Sequence, residues 1–447
     1  MPKKATPSKN KAPLTRPETV TFFAEAWADA AAACGITWYL YDTALLCAAT
    51  IGHTPDGYNE WTVAIQPMDY PRVIEEVLPL FQDRTNCLMS VNGHTIVCTH
   101  AANLENVVIR IGLLRPASPE EAKTDDRLRV STQKGRDGND HPIPYPEPAD
   151  TVTLNGVTYP TFANYPIYLQ ERFLDYENCF DDPIGCNLTR ETKAELIAHQ
   201  QDCIEALRFL EELSQKYGLK YRLLSGSVLG AVRHGGFIPW DDDIDIGICV
   251  EDLAAFEEKL REHLPEKFRL FYRQADVDYP RMFTKICCDG RCCIDLFPLL
   301  PVPQDALRAK AFWFFGKFWR KLHHVKIGDD HRTDFRMKGL ARLIALFFSD
   351  KQIMQLADRH DRRYVNTDAP CYVNMYSIYS RRVETVPAHW VLNPQRMSFA
   401  GIDVPVMGCP DDYLTHMYGD YRIPPFPWDR AHRHVARFNI TDTEDCV

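Results

Sequence analysis

Asp243 and Asp245 are the residues of this 447-residue chain whose types and spacing speak most directly of chemistry. They stand in Asp241-Asp242-Asp243-Ile244-Asp245-Ile246, and Ile248 continues the alternation. Isoleucine at every second position marks a half-buried strand rather than a solvated acidic loop, and alternation puts Asp243 and Asp245 on one face. Two carboxylates side by side repel unless a cation lies between them, and hard oxygen donors suit Mg²⁺ or Mn²⁺. Upstream, Gly226-Ser227 follows a strand-like segment at 220–224. A small-residue turn there can hold a phosphate on backbone N–H groups. A phosphate cradle beside a metal-binding acid pair is an arrangement for phosphoryl or nucleotidyl transfer.

A third carboxylate is expected from a neighbouring strand, and Asp295 in Cys293-Ile-Asp-Leu-Phe-Pro298 meets that need. Three carboxylates would hold one or two Mg²⁺, and Asp295 is also a candidate for helping to deprotonate an attacking hydroxyl. Asp241 and Asp242 either brace the turn or aim their neighbours. Arg233 and His234 lie between the glycine turn and the acids, where a guanidinium can grip a phosphate bidentately. Lys285, on the same predicted hairpin as Asp295, is a further candidate phosphate ligand.

Three other stretches invite chemistry. Cys287, Cys288, Cys292 and Cys293 tempt a zinc reading, but adjacent cysteines on a strand face opposite ways and a closed site needs four converging thiolates. Buried side chains are the expectation. Residues 312–322, Phe-Trp-Phe-Phe-Gly-Lys-Phe-Trp-Arg-Lys-Leu, either pack in the core, the favoured reading, or lie on a membrane with Lys317, Arg320 and Lys321 near headgroups. Tyr418-Gly-Asp-Tyr-Arg-Ile-Pro-Pro425 is a late turn, either closing over a substrate or forming a packing corner.

The elements that must carry these residues follow from periodicity and breakers. Helices are expected at 19–34 (closed by Gly35), 71–81, 165–173, 191–217 (closed by Gly218), 251–263, 305–325, 339–364 and 410–418. Strands are expected at 36–46 (leading into a small helix), 61–66, 95–99, 107–114, 220–224 and 268–272. A hairpin at 281–288 and 291–297 turns at Asp289-Gly290. Residues 1–16, basic and proline-rich without an acid, read as a disordered tail, and 117–150 as a polar linker.

The chain also contains a degenerate internal repeat. Residues 33–40 match 216–223 in pattern, 71–81 match 253–264, 109–116 match 294–301, and 155–160 match 400–405. Tyr168 and Asp175 keep the offset of Tyr413 and Asp420. Thr43-Ala44 then replaces Gly226-Ser227, Trp61 and Val63 stand for Asp243 and Asp245, and Arg110 stands for Asp295. A first copy, 17–182, without the catalytic acids is therefore expected ahead of an active domain at 190–447.

Bulk properties fit an intracellular enzyme. With 45% hydrophobic and 25% charged residues the chain can bury a sizeable core. A net charge of −10 argues against a general nucleic-acid binder. The start lacks an apolar leader, so the 15 cysteines are expected to be reduced thiols in the cytoplasm, with contact at the inner membrane face left open.

These motifs resemble the LicD family of phosphotransferases, which includes the fukutin-like enzymes. The resemblance rests on Gly226-Ser227 with Arg233, on Gly236-Phe-Ile-Pro-Trp-Asp-Asp-Asp-Ile-Asp-Ile246, on Ile294-Asp-Leu-Phe-Pro298 and on Tyr418-Gly-Asp-Tyr-x-x-Pro-Pro425, over roughly residues 190 to 435. It implies a nucleotidyltransferase-like α/β fold, a mixed sheet flanked by helices, here duplicated and with helical and loop-rich C-terminal additions. It implies Asp243, Asp245 and Asp295 as metal ligands and Gly226-Ser227 as the phosphate-contacting turn. It implies a donor, CDP-choline with CDP-ribitol as the alternative, and a glycan or teichoic acid acceptor. Other readings are a nucleotidyltransferase acting on a small molecule, or an inactive glycan-binding protein.

Overall fold

The computed structural model describes residues 17–100, 104–115, 129–131, 141–142, 150–271, 282–327, 343–377 and 379–430. The basic tail at 1–16 and most of the 117–150 linker lie outside these residues. The chain divides into two compact units, one of residues 1–190 with 425–430 and one of residues 191–424 with 431–447. The hexapeptide 425–430 groups with the first unit, where Phe426 and Trp428 stack at 4.9 Å and set their edges against Tyr58.

In the first unit the helix Pro17–Ala33 opens on proline, whose fixed φ suits a first helical position. It buries Val20, Phe23, Trp27, Ala30 and Ala31, one stripe at helical spacing. Gly35 at φ +66° follows it. The strands are β1 (Trp38–Leu40), β2 (Glu60–Ile65), β3 (Leu88–Asn92), β4 (Thr95–Thr99), β5 (Asn106–Arg115), β6 (Arg129–Ser131), β7 (His141–Pro142), β8 (Asp150–Leu154) and β9 (Val157–Thr161). The main sheet runs β1-β2-β5-β4-β3. Strand β3 was not expected: it is largely exposed and has no alternation to read. The hairpin β8–β9 turns at Asn155 and Gly156, both at positive φ.

In the second unit the 28-residue helix Arg190–Tyr217 buries Leu196, His199, Cys203, Leu207 and Leu210. Its strands are β10 (Arg222–Leu223), β11 (Ile244–Cys249), β12 (Phe268–Phe271), β13 (Thr284–Cys288), β14 (Arg291–Val302), β15 (Cys371–Asn374), β16 (Thr385–Pro387), β17 (Gln395–Phe399) and β18 (Ile402–Val406). The sheet runs β12-β13-β14-β11-β10-β18-β17, and β15 pairs with β14 and β16. Strands β11 and β14 are parallel, while β13–β14 is the antiparallel hairpin turned at Asp289 and Gly290, both at positive φ. Helices Leu253–His263 and Pro410–Tyr418 are at or close to the expected bounds, whereas the helix Ser225–His234 was not expected, its start having been read as a small-residue turn.

The single helix expected at 339–364 is not one helix. Within the described residues Ala345 and Phe348 pack inward, and a new helix, Asp350–Asp361, starts at Ser349. Ser349 Oγ accepts from the Gln352 N–H while the Gln352 side chain accepts from the Ser349 N–H. That reciprocal cap begins a helix at a defined residue, which the apolar period running across it does not reveal.

The two units share one order of pairing. In the first, β1-β2-β5-β4-β3, and in the second, β10-β11-β14-β13-β12, the first pair is antiparallel, the second parallel and the next two antiparallel. Matching the two units by strand register shifts the correspondence expected from sequence by one residue. Leu40 pairs with Val63 as Leu223 pairs with Ile246, and Thr62 pairs with Arg110 as Asp245 pairs with Asp295. The residues at the Asp243 and Asp245 positions are therefore Glu60 and Thr62, not Trp61 and Val63. Glu60 is bound to Arg110 at 2.9 Å, an ion pair at the places of two of the acids.

Candidate active site

Parallel pairing of β11 with β14 sets Asp245 opposite Asp295, and antiparallel pairing of β13 with β14 sets Lys285 opposite Asp295 from the other side. Asp295 and Lys285 are both buried, and Lys285 Nζ lies 2.7 Å from Asp295 Oδ1 and 2.9 Å from Oδ2. Cys292 Sγ donates to Asp295 Oδ1 at 2.9 Å. Donor atoms of Asp243, Cys292 and Asp295 lie within 4.8 Å of one another, and so do those of Asp241, Asp242 and Asp243.

Crowding shows in the acid strengths. Burial, then the charges of Asp243, Asp295 and Asp241, holds the Asp245 carboxyl well above the usual carboxylate range, while Lys285 pulls the other way. Asp241 is raised by burial and by Asp243 and Asp242. Burial pushes Asp242 up to about 6. The Cys292 thiol is raised by its bond with Cys287, by burial and by Asp295, so it stays neutral beside the acids. The ionisable donors are thus hard oxygens under mutual repulsion, a set that fits Mg²⁺ or Mn²⁺ better than a soft ion.

The acid loop is held from behind by one face of the helix Arg190–Tyr217. Gln200 Nε2 donates to the Asp241 carbonyl at 2.7 Å and to the Pro239 carbonyl at 3.2 Å. His199 Nε2 bonds to the Cys292 carbonyl at 2.7 Å. Cys203 Sγ donates to the Asp242 carbonyl at 3.7 Å. His199, Cys203 and Cys293 form a buried cluster that sequence reading missed, although the His-x₃-Cys spacing on one helix face was there to find. The cysteine hairpin divides as alternation requires: Cys287 and Cys292 group with Phe271, while Cys288 and Cys293 enter the main core.

Gly226 and Ser227 lie in the first turn of the helix Ser225–His234. The Ser225 N–H donates to Tyr413 Oη at 3.0 Å and the Ser227 N–H to the Leu224 carbonyl at 2.9 Å. Ser227 Oγ accepts from the Asp245 N–H at 2.8 Å, so this serine aims the acid strand. A Cβ at Gly226 would sit 3.0 Å from Asp241 Oδ2, so glycine makes room for that carboxylate. Arg233 Nη1 donates to the Tyr421 carbonyl at 2.9 Å, its Nε faces His234 Nε2 at 3.0 Å, and its guanidinium lies over Trp240. Arg233 thereby ties the first motif to the late turn at 418–425. His234 itself is exposed.

Two tyrosines of the helix Pro410–Tyr418 feel the charge of the acids. Burial raises Tyr413 and Tyr418, and the Asp245 charge adds to both shifts. Glu384, buried with Oε1 unpartnered, is pushed by burial up to about 7 and contributes to the Tyr413 shift. Tyr413 and Tyr418 stood out in sequence without a role, whereas Glu384 carried no sequence signal and only the tertiary structure buries it.

A mixed sheet flanked by helices thus carries Asp245 and Asp295 on two parallel strands, with Asp243 in the loop just before the first of them and the start of the helix Ser225–His234 packed on that loop. Residues 218–336 match the family model described as LicD/FKTN/FKRP, nucleotidyltransferase domain. It is 44% identical over 78 residues to the lipopolysaccharide cholinephosphotransferase LicD of Haemophilus influenzae, covering 17% of this chain and 29% of that one. It is 43% identical over 173 residues to the ribitol 5-phosphate transferase FKRP of Mus musculus, covering 36% and 31%. It is 42% identical over 93 residues to an uncharacterized protein of Rickettsia prowazekii, covering 21% and 31%. These matches span less than a third of the length of each relative.

Proposed function

We propose that this chain is a metal-dependent phosphotransferase of LicD type. It moves a phospho-alcohol from a CDP-activated donor, CDP-choline first and CDP-ribitol second, to a hydroxyl of a cell-surface glycan or teichoic acid precursor. The observation that supports this most is the register of Asp245 against Asp295 with Asp243 alongside, inside the segment that matches the LicD model. The activities for which two relatives are named, choline-phosphate and ribitol-phosphate transfer, support the class of group moved.

Asp243, Asp245 and Asp295 would hold one or two Mg²⁺ or Mn²⁺, which would neutralise the donor phosphates and the charge that builds in the transition state. The acceptor oxygen bonds to the phosphorus that carries the alcohol, the bond from that phosphorus to the CMP oxygen breaks, and CMP leaves. Asp295 would help to take the acceptor proton, with the Lys285 ammonium beside it steadying the charge. Ser227 fixes the backbone of Asp245 and Gln200 the loop before it, so the carboxylates are set before substrate arrives. The first unit, with Glu60, Thr62 and Arg110 at the acid positions, is a degenerate copy that performs no transfer.

The test is donor consumption by the full chain with Mg²⁺ and a glycan acceptor. CMP release from CDP-choline or CDP-ribitol is expected. Pyrophosphate release from a nucleoside triphosphate would replace this reading with nucleotidyl transfer, and no turnover of any donor would leave a binding protein.

A further inference from the structure

The helix Ala306–Ile327 turns apolar side chains outward. Its inner face buries Phe312, Gly316, Arg320, Leu322 and His323. On the other side Leu307 is 74% exposed, Phe314 64% and Phe315 49%. Positions 307, 311, 314, 315 and 318 fall on one side of a helix, so leucine, alanine and three phenylalanines form a stripe. The segment that follows extends it. Ile344, Ala345 and Phe348 pack against Phe318, Leu322 and Val325, while Leu346 and Phe347 are each 76% exposed. Lys326 Nζ donates to the Ala345 carbonyl at 3.0 Å and fixes that segment to the helix end. Burial in the core was the favoured reading of 312–322; it holds for Phe312 and Leu322 and fails for Phe314 and Phe315.

The charge around this stripe is one-sided. The helix carries no acidic residue and exposes Arg308, Lys310 and Lys326, in a chain whose net charge is −10, while Arg320 is turned inward and paired with Asp361. Grouped exposed apolar side chains on a folded protein mark a surface that something covers. A second copy of the chain meeting face to face would set two basic, acid-free helices against each other. An anionic bilayer satisfies both features, with leucine and phenylalanine entering the acyl boundary and lysine and arginine lying at the headgroup phosphates. We infer that the outer face of the helix Ala306–Ile327, with Leu346 and Phe347, docks the protein on an anionic phospholipid surface. No described helix is long and apolar enough to cross a membrane, so the contact is peripheral. It would bring the second unit to a membrane-borne acceptor, but it is read without any donor and stands apart from the transfer reaction.

The full chain is mixed with vesicles of phosphatidylcholine alone, or of phosphatidylcholine and phosphatidylglycerol in equal parts, and sedimented. Binding to the mixed vesicles is expected, weakening as salt rises. Phe314→Glu/Phe315→Glu should lower the partition coefficient by about tenfold or more, and Leu346→Glu/Phe347→Glu should do the same. Circular dichroism and melting of each variant establish that it is folded. Wild-type protein left in the supernatant with mixed vesicles, or folded variants that sediment as the wild type does, would overturn the inference. So would a wild-type dimer in analytical ultracentrifugation that these substitutions dissociate without any vesicle binding, which would assign the face to a second copy.

Discussion

Asp245 and Asp295 stand directly opposite each other on adjacent parallel strands, residues fifty apart in sequence brought into one register by the β11–β14 pair. A metal shared between them would make them one unit rather than two additive contributors. Asp245→Asn and Asp295→Asn are each expected to lower CMP release by on the order of 10³-fold, and the double variant to lose little more. Mg²⁺ at about 100 times its Kd should stabilise the wild type by about 2.7 kcal/mol and Asp245→Asn by far less, read as a melting shift. Equal Mg²⁺ shifts in both would remove Asp245 from the ligand set.

Lys285 supplies the positive charge closest to Asp295, and both are buried. Lys285→Met would leave a buried carboxylate without its ammonium, at a cost of roughly 3–5 kcal/mol. Chemical denaturation in metal-free buffer should show that loss, and Lys285→Met/Asp295→Leu should recover part of it. An unchanged midpoint for Lys285→Met would mean that the pair contributes nothing to stability.

Gly230 lets the helix Ser225–His234 meet the loop that leads to the acids. A Cβ there would lie 2.3 Å from the Gly236 carbonyl oxygen and 3.2 Å from the Ile238 nitrogen, both backbone atoms that cannot rotate away. Gly230→Ala should cost about 1–3 kcal/mol and should also slow CMP release, because the loop carries Asp241 to Asp243. A variant as stable and as active as the wild type would show that this approach is unimportant.

Glu384 gives the fold a pH dependence with a defined sign. Its carboxyl is raised from 4.5 to about 7 by burial, so folding favours the proton. The stability it contributes is present below the unfolded value and is lost as pH rises through about 7. Glu384→Gln should match the wild type near pH 4 and exceed it by up to roughly 3 kcal/mol at pH 8. Parallel stability curves for the two proteins would refute the assignment.

Glu60 and Arg110 form a partly exposed ion pair in the first unit, which is proposed to carry no transfer chemistry. Glu60→Ala/Arg110→Ala should change stability by at most about 1 kcal/mol and leave CMP release at the wild-type rate. Loss of transfer in a folded double variant would give the first unit a part in the chemistry.

Much of the architecture was legible because its causes are local. Gly35 and Gly218 end helices, Asp289-Gly290 closes a hairpin, and isoleucine at 244, 246 and 248 marks a strand; each signal acts within four residues. The helix at 410–418 was readable for the same reason. The break before Asp350 was not, because apolar spacing continues across it and only the Ser349–Gln352 cap decides the start. The exposure of Phe314 and Phe315 was equally hidden, since a helix with aromatics in most directions does not say which of them face inward.

The amino-acid sequence by itself determined the type of chemistry available: which carboxylates exist, how Asp243 and Asp245 are spaced, and that a glycine turn precedes them. The tertiary structure alone decided which groups act together. Interstrand hydrogen bonds set Asp295 between Asp245 and Lys285, gave Ser227 the backbone of Asp245 to hold, and set Thr62 opposite Arg110 in the first unit. The physical reason is that strand alternation has a period of two, so a slip of one residue reverses every side chain, and the register that forbids the slip is set by residues tens of positions away.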